Sequence, residues 1–268
     1  MKPARKHRLK SLLILAVSGV AVWILTIVLS DKARPLFNYF RDQPAQEAEP
    51  LNLLIAFAVA LIILFILRKR FFLGWLISIS MALIIFSGAS LFVRPEISLL
   101  LAVALFLFER FKHSFLSNNL LILVALLAGS ITIGLSFPIN FLIIVLIFLS
   151  VYDIFGVFIT RFIPHLAQKA VETNVPLLLL APDKNVSWLQ KPALKNSAAL
   201  LGAGDIFLPA IFLSAVTFEH SVTISFITFA GALVGVALNS ALAVKIKTGI
   251  PAMPMLALGL IIAYLIAR

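Results

Sequence analysis

Residues 138–160 read PINFLIIVLIFLSVYDIFGVFIT, and Asp153 is the one charged side chain in the stretch. Hydrocarbon offers no partner to backbone N–H and C=O groups, so an apolar run of this length is expected to be a membrane-spanning helix, which satisfies them internally. Pro138 is placed to open that helix. A carboxylate inside it costs roughly 2.5–3.5 kcal/mol on insertion scales, and such residues are usually functional. A buried acid in a span therefore sets both the fold class and the place to look for function.

The rest of the chain agrees. Of 268 residues, 62% are hydrophobic and 12% charged, with a mean hydropathy of +1.12. Ordinary soluble domains are about half apolar and about a quarter charged, so this chain belongs in a bilayer. Apolar stretches at 11–30, 51–67, 72–93, 97–109, 118–137, 138–160, 197–217, 222–244 and 250–267 predict nine spans. The basic start, Met1 to Lys10, leads into the first of them, read as a retained helix with no small-x-small cleavage site after it.

Charge alternation supports the count. With the N-terminus cytoplasmic, Lys32, Arg34, Arg41, Arg94 and Arg268 fall outside and the other seventeen of the 22 basic residues inside. That is a strong positive-inside bias. The net charge of +11 reflects this distribution; no basic stripe with interleaved aromatics suggests nucleic acid. The expected architecture is an all-α polytopic membrane protein with its C-terminus outside. It forms one membrane domain over 1–268, with helices one to six in 1–160, a cytoplasmic loop over 161–196 and helices seven to nine in 197–268. Residues 31–50 are expected as an outer loop. Within the cytoplasmic loop, the apolar run Val175 to Pro182 is too short to span. It reads either as a segment lying at the interface or as a strand-like edge near the site that pairs with an extended substrate.

A second acid, Asp205, lies inside the seventh span. Helical rise places Asp153 about 12 Å from Arg161, and Asp205 about 15 Å from Lys195 if that stretch is helical throughout. Antiparallel neighbours thus bring two carboxyls to a similar level, with each other as partners. Two close carboxyls hold a single proton over a range of pH, the arrangement aspartic proteases use. One member takes a proton from water and the other donates toward a peptide carbonyl.

With no cysteine in the chain, disulfides and thiolate chemistry are excluded. His7, His113, His165 and His220 form no HExxH spacing, so neither metal nor cofactor is expected. Gly202 and Gly204 leave room for close approach beside Asp205. Tyr152 precedes Asp153, Pro209 should weaken the helix one turn after Asp205, and Pro251 and Pro254 bracket Ala252 and Met253 at the start of the ninth span.

Tyr152-Asp153, Gly202-Ala203-Gly204-Asp205 and Pro251-Ala252-Met253, in that order, resemble the YD, GxGD and PAL motifs of the presenilin and signal peptide peptidase family, most closely its microbial, particularly archaeal, presenilin homologues. The resemblance spans the whole chain. It implies cleavage of membrane-protein or signal-peptide helices within the bilayer, here the plasma membrane. Asp153 and Asp205 would be the catalytic pair, and Tyr152, Gly202, Gly204, Pro251, Ala252 and Met253 would shape the site or bind substrate. Met253 stands where the family has leucine, a volume-conserving exchange that bears on substrate fit. The N-inside orientation is similar to presenilin and suggests substrates whose N-terminus lies outside. The competing reading is an ion- or proton-coupled transporter that uses the same two acids.

Overall fold

The computed structural model describes residues 3–41, 70–159, 170–173, 175–245 and 251–268. Its elements are α1 (Pro3–Arg41), α2 (Arg70–Ala89), α3 (Pro95–Phe111), α4 (Phe115–Ser136), α5 (Ile139–Ile154), β1 (Leu178–Pro182), β2 (Ser197–Gly202), α6 (Ala203–Glu219), α7 (Val222–Lys245) and α8 (Met253–Ala267). A π-helical turn, Phe155–Ile159, continues α5. The expected span at 51–67 lies outside the described residues. Among those described, four helices are long and apolar enough to cross a membrane.

The helix α6 is the hub, packed by α1, α4, α5, α7 and α8. Its sequence explains why. From Pro209 to Phe218 the residues are apolar or small on every face, and all are buried. A helix apolar all round belongs in a core. Its few hydroxyls find partners: Ser214 Oγ meets Ser30 Oγ of α1 at 2.7 Å, and Thr217 Oγ1 donates to Ser225 Oγ of α7 at 2.8 Å. Small residues let the neighbours come close. At the crossing of α7 and α8, Gly231, Gly235 and Gly259 face backbone, with no space for a Cβ at any of the three. The helix α5 contrasts with α6. Only Ile139, Leu142 and Leu146 on it are buried, and its other residues are exposed or half-buried among the described residues.

Several boundaries differ from expectation. The first span extends from Pro3 to Arg41, so the expected outer loop over 31–50 begins as helix. The fourth span is Pro95–Phe111, opened by a proline at its first position. The fifth begins at Phe115, where Ser114 and Ser117 form a reciprocal cap. The ninth begins at Met253 rather than 250.

The main correction concerns 197–217. Its first six residues, Ser197–Gly202, form a strand antiparallel to Leu178–Pro182, and the helix starts only at Ala203. An apolar run Ala198-Ala199-Leu200-Leu201 carries no period that separates strand from helix, and the choice is made by the partner strand across the sheet. The level estimated for Asp205 from a continuous helix falls with it, because a strand advances about 3.3 Å per residue against 1.5 Å for a helix. The strand reading of the apolar loop run is correct for Leu178–Pro182.

Candidate active site

Asp205 is the third residue of α6. The strand β2 runs straight into this helix, with Gly202 serving as both last strand residue and N-cap. Pro209 sits four residues on. It has no N–H, so the Asp205 carbonyl lacks its helical donor. Trp23 of α1, buried in the core, donates its Nε1–H to the carbonyl of Ile206 at 2.8 Å and fixes this first turn from outside.

Asp153 lies in the last turn of α5, just before the π turn. Irregular turns of this kind are common at functional sites. Its Oδ2 accepts the backbone N–H of Met253 at 3.1 Å, and the amide of Ala252 also faces the carboxylate. Those N–H groups are available because they open α8, and the first amides of a helix have no intrahelical partner. Asp153 and Asp205, both partly buried, lie near enough to interact through their charges. Three helix ends, of α5, α6 and α8, and one strand end thus converge on two carboxyls.

The other expected residues divide. Met253 is buried and Pro251 also; with half-buried Ala252 they form the wall that holds Asp153. Gly202 is filled by the site itself, since a Cβ there would lie 3.1 Å from Asp205 Oδ2. Gly204 is exposed, and a Cβ on it would meet open space, so this is the open approach beside Asp205. Tyr152 is 52% exposed, and its side chain has no partner among the described residues.

Some supporting residues are not apparent in sequence. Asn118 and Asn119 at the start of α4 bond to β1. Glu109 is fully buried, with His113 Nδ1 at 2.8 Å and the Ser78 hydroxyl donating to it at 3.1 Å. Its neighbours Arg110 and Lys112 give it the appearance of a charge at a helix end. Two adjacent asparagines just inside a predicted span were the available signal for the first of these sets.

The profile of the family described as "Signal-peptide peptidase, presenilin aspartyl protease" matches residues 50–268. No curated protein matches the chain. Two solved structures of a presenilin family intramembrane aspartate protease share the fold. One, in space group C222, is 19% identical, covers 95% of this chain and 96% of its own, and has a TM-score of 0.57. The other, in space group P2, is 20% identical, covers 94% of each chain, and has a TM-score of 0.59. With the family profile covering most of the chain, including both acids and the segment at Pro251, this integral membrane protein belongs to the signal-peptide peptidase and presenilin family of aspartyl proteases.

Proposed function

We propose that the chain hydrolyses peptide bonds of transmembrane helical substrates with Asp153 and Asp205 as its catalytic pair. The observation that carries this reading is that two partly buried carboxyls, on α5 and α6, lie within range of each other's charge, with the start of α8 holding one of them. One carboxylate removes a proton from water as the water oxygen attacks the scissile carbonyl carbon. The other carboxyl protonates the carbonyl oxygen, which gives a gem-diol. The first carboxyl then gives its proton to the nitrogen while a gem-diol hydroxyl gives one to the second carboxylate; the C–N bond breaks to leave acid and amine, and the pair again holds a single proton. The Met253 N–H holds Asp153 in place through the cycle.

A substrate helix must unwind for this, because a helical peptide bond is shielded by its own hydrogen bonds. The strand β2 supports a route. It offers an extended edge that ends three residues before Asp205, and strand addition gives an unwound peptide replacement backbone bonds. Nine spans in one membrane domain, an N-terminus in the cytoplasm and residence in the plasma membrane complete the proposed picture. That orientation favours substrates whose N-terminus lies outside.

The test is cleavage of a single-span reporter by purified protein in detergent and in vesicles. Asp153→Asn and Asp205→Asn should each lower turnover by at least about a hundredfold, the usual scale of a lost general acid or base. Hydroxyl-bearing transition-state mimics should bind the wild type and lose affinity in either variant. Near-normal cleavage by either variant would overturn the mechanism. Reporters inserted in both orientations test the topology, and equal rates would remove the preference.

A further inference from the structure

The two edges of the β1–β2 hairpin are treated differently. The Ala203 N–H donates to the Leu177 carbonyl at 3.1 Å, and the register pairs Leu178 with Gly202 and Leu180 with Leu200. Antiparallel pairs alternate between bonded and non-bonded. Residues 177, 179 and 181 therefore turn their backbone groups toward β2, while those of Leu178 and Leu180 point out of the sheet. By the same alternation the N–H and C=O of Leu200 point out of the other edge. Leu200 is exposed, and among the described residues its outward backbone groups have no partner.

The outer edge of β1 is closed by side chains. Asn119 Nδ2 donates to the Leu180 carbonyl at 2.8 Å, and the Leu180 N–H donates to Asn119 Oδ1 at 2.9 Å. Asn118 Nδ2 donates to the Leu178 carbonyl at 3.0 Å. A carboxamide carries a donor and an acceptor in one plane, as a peptide does. Asn119 thus replaces one residue of a neighbouring strand, and both asparagines are buried. The next element in the hairpin is caught too: the first amides of α4, on Phe115 and Leu116, take the carbonyls of Gln190 and Trp188.

We propose that Asn119 is a positioning residue, which closes the β1 edge so that a substrate strand adds only to β2, in the register that delivers one peptide bond to Asp205. The proposal rests on the protease reading above and deepens it. Without Asn119, Leu180 offers a competing edge on the far side of the sheet from β2, and the hairpin loses its tie to α4.

The test compares product ends by mass spectrometry for wild type, Asn119→Leu, which keeps the size and removes the polar atoms, and Asn119→Asp, which keeps the acceptor and removes the donor. A hydroxyl-bearing mimic too short to reach Leu200 reports whether the aspartates are intact. Asn119→Leu should bind the mimic as wild type does, lose up to about a hundredfold in kcat/KM, the scale of an about 1 Å misplacement, and spread cleavage over neighbouring bonds. A merely structural role would lower all products together without changing their ratio. Wild-type product ratios in a variant that binds the mimic would overturn the proposal. If Asn119→Leu fails to bind it, Asn119→Asp decides by the same readouts. The protease reading fails separately: the wild type would not cleave, or Asp205→Asn would.

Discussion

Replacing Gly259 by alanine tests how the active site is held by a helix crossing remote from it. A Cβ at Gly259 would press on the Gly231 carbonyl, with the Gly231 carbon at 3.0 Å and the Gly235 nitrogen at 3.3 Å. All of these are backbone atoms, so no rotamer change relieves the contact and α7 and α8 must separate. Overpacking of this kind costs about 1–3 kcal/mol, and the rigid neighbours put this site at the upper end. Alanine recovers about 1 kcal/mol of helix propensity, which leaves a net loss of about 2 kcal/mol and lowers the melting temperature by about 5 °C. The displacement also reaches the site, because α8 begins with the Met253 N–H that holds Asp153. A shift of about 1 Å there is enough to cost about a hundredfold in turnover. Thermal unfolding in detergent and reporter cleavage measure the two effects. Unchanged melting and unchanged kcat/KM in Gly259→Ala would refute the argument that this crossing sets the position of α8.

The two glycines beside Asp205 should respond differently. Gly204→Ala enters open space and should leave the melting temperature unchanged while lowering kcat/KM through a rise in KM; Gly202→Ala displaces the Asp205 carboxylate and should lower kcat, and steady-state kinetics separates the two. Trp23→Phe removes the bond to the Ile206 carbonyl and should cost about 1 kcal/mol of stability with a loss of turnover, measured by unfolding and cleavage together. Ser30→Ala and Ser214→Ala break a buried bond between α1 and α6. Each should cost roughly 0.6–1.7 kcal/mol, and a double-mutant cycle should show the pair to be coupled rather than additive.

The acids were legible because each is a charge where apolar residues surround it, and no packing information is needed to notice that. The order of helices puts them on consecutive predicted spans, but their relative level was not legible, because the residues before Asp205 form a strand. The strand at Ser197–Gly202 was not, since its apolar residues satisfy either period and the deciding partner lies across the hairpin. Glu109 was hidden by Arg110 and Lys112, which make the helix end look solvated. Asn118 and Asn119 resemble boundary residues until β1 is seen against them. The sequence offers Gly202 as space for a neighbour, yet the space is taken by the carboxylate three residues on. What sequence hides in each case is a tertiary partner.

The two acids are mounted on unequal supports. Twelve residues of α6 are buried, so Asp205 rides on the most firmly packed helix among the described residues, whereas Asp153 rides on a helix with three buried residues and a largely apolar surface exposed among the described residues. Changes in acyl-chain length or lateral pressure should therefore reach Asp153 while leaving Asp205 in place. Ligands anchored along β2 and Asp205 should keep their affinity from one bilayer to another, and those that depend on the spacing of both acids should vary with the lipid around them.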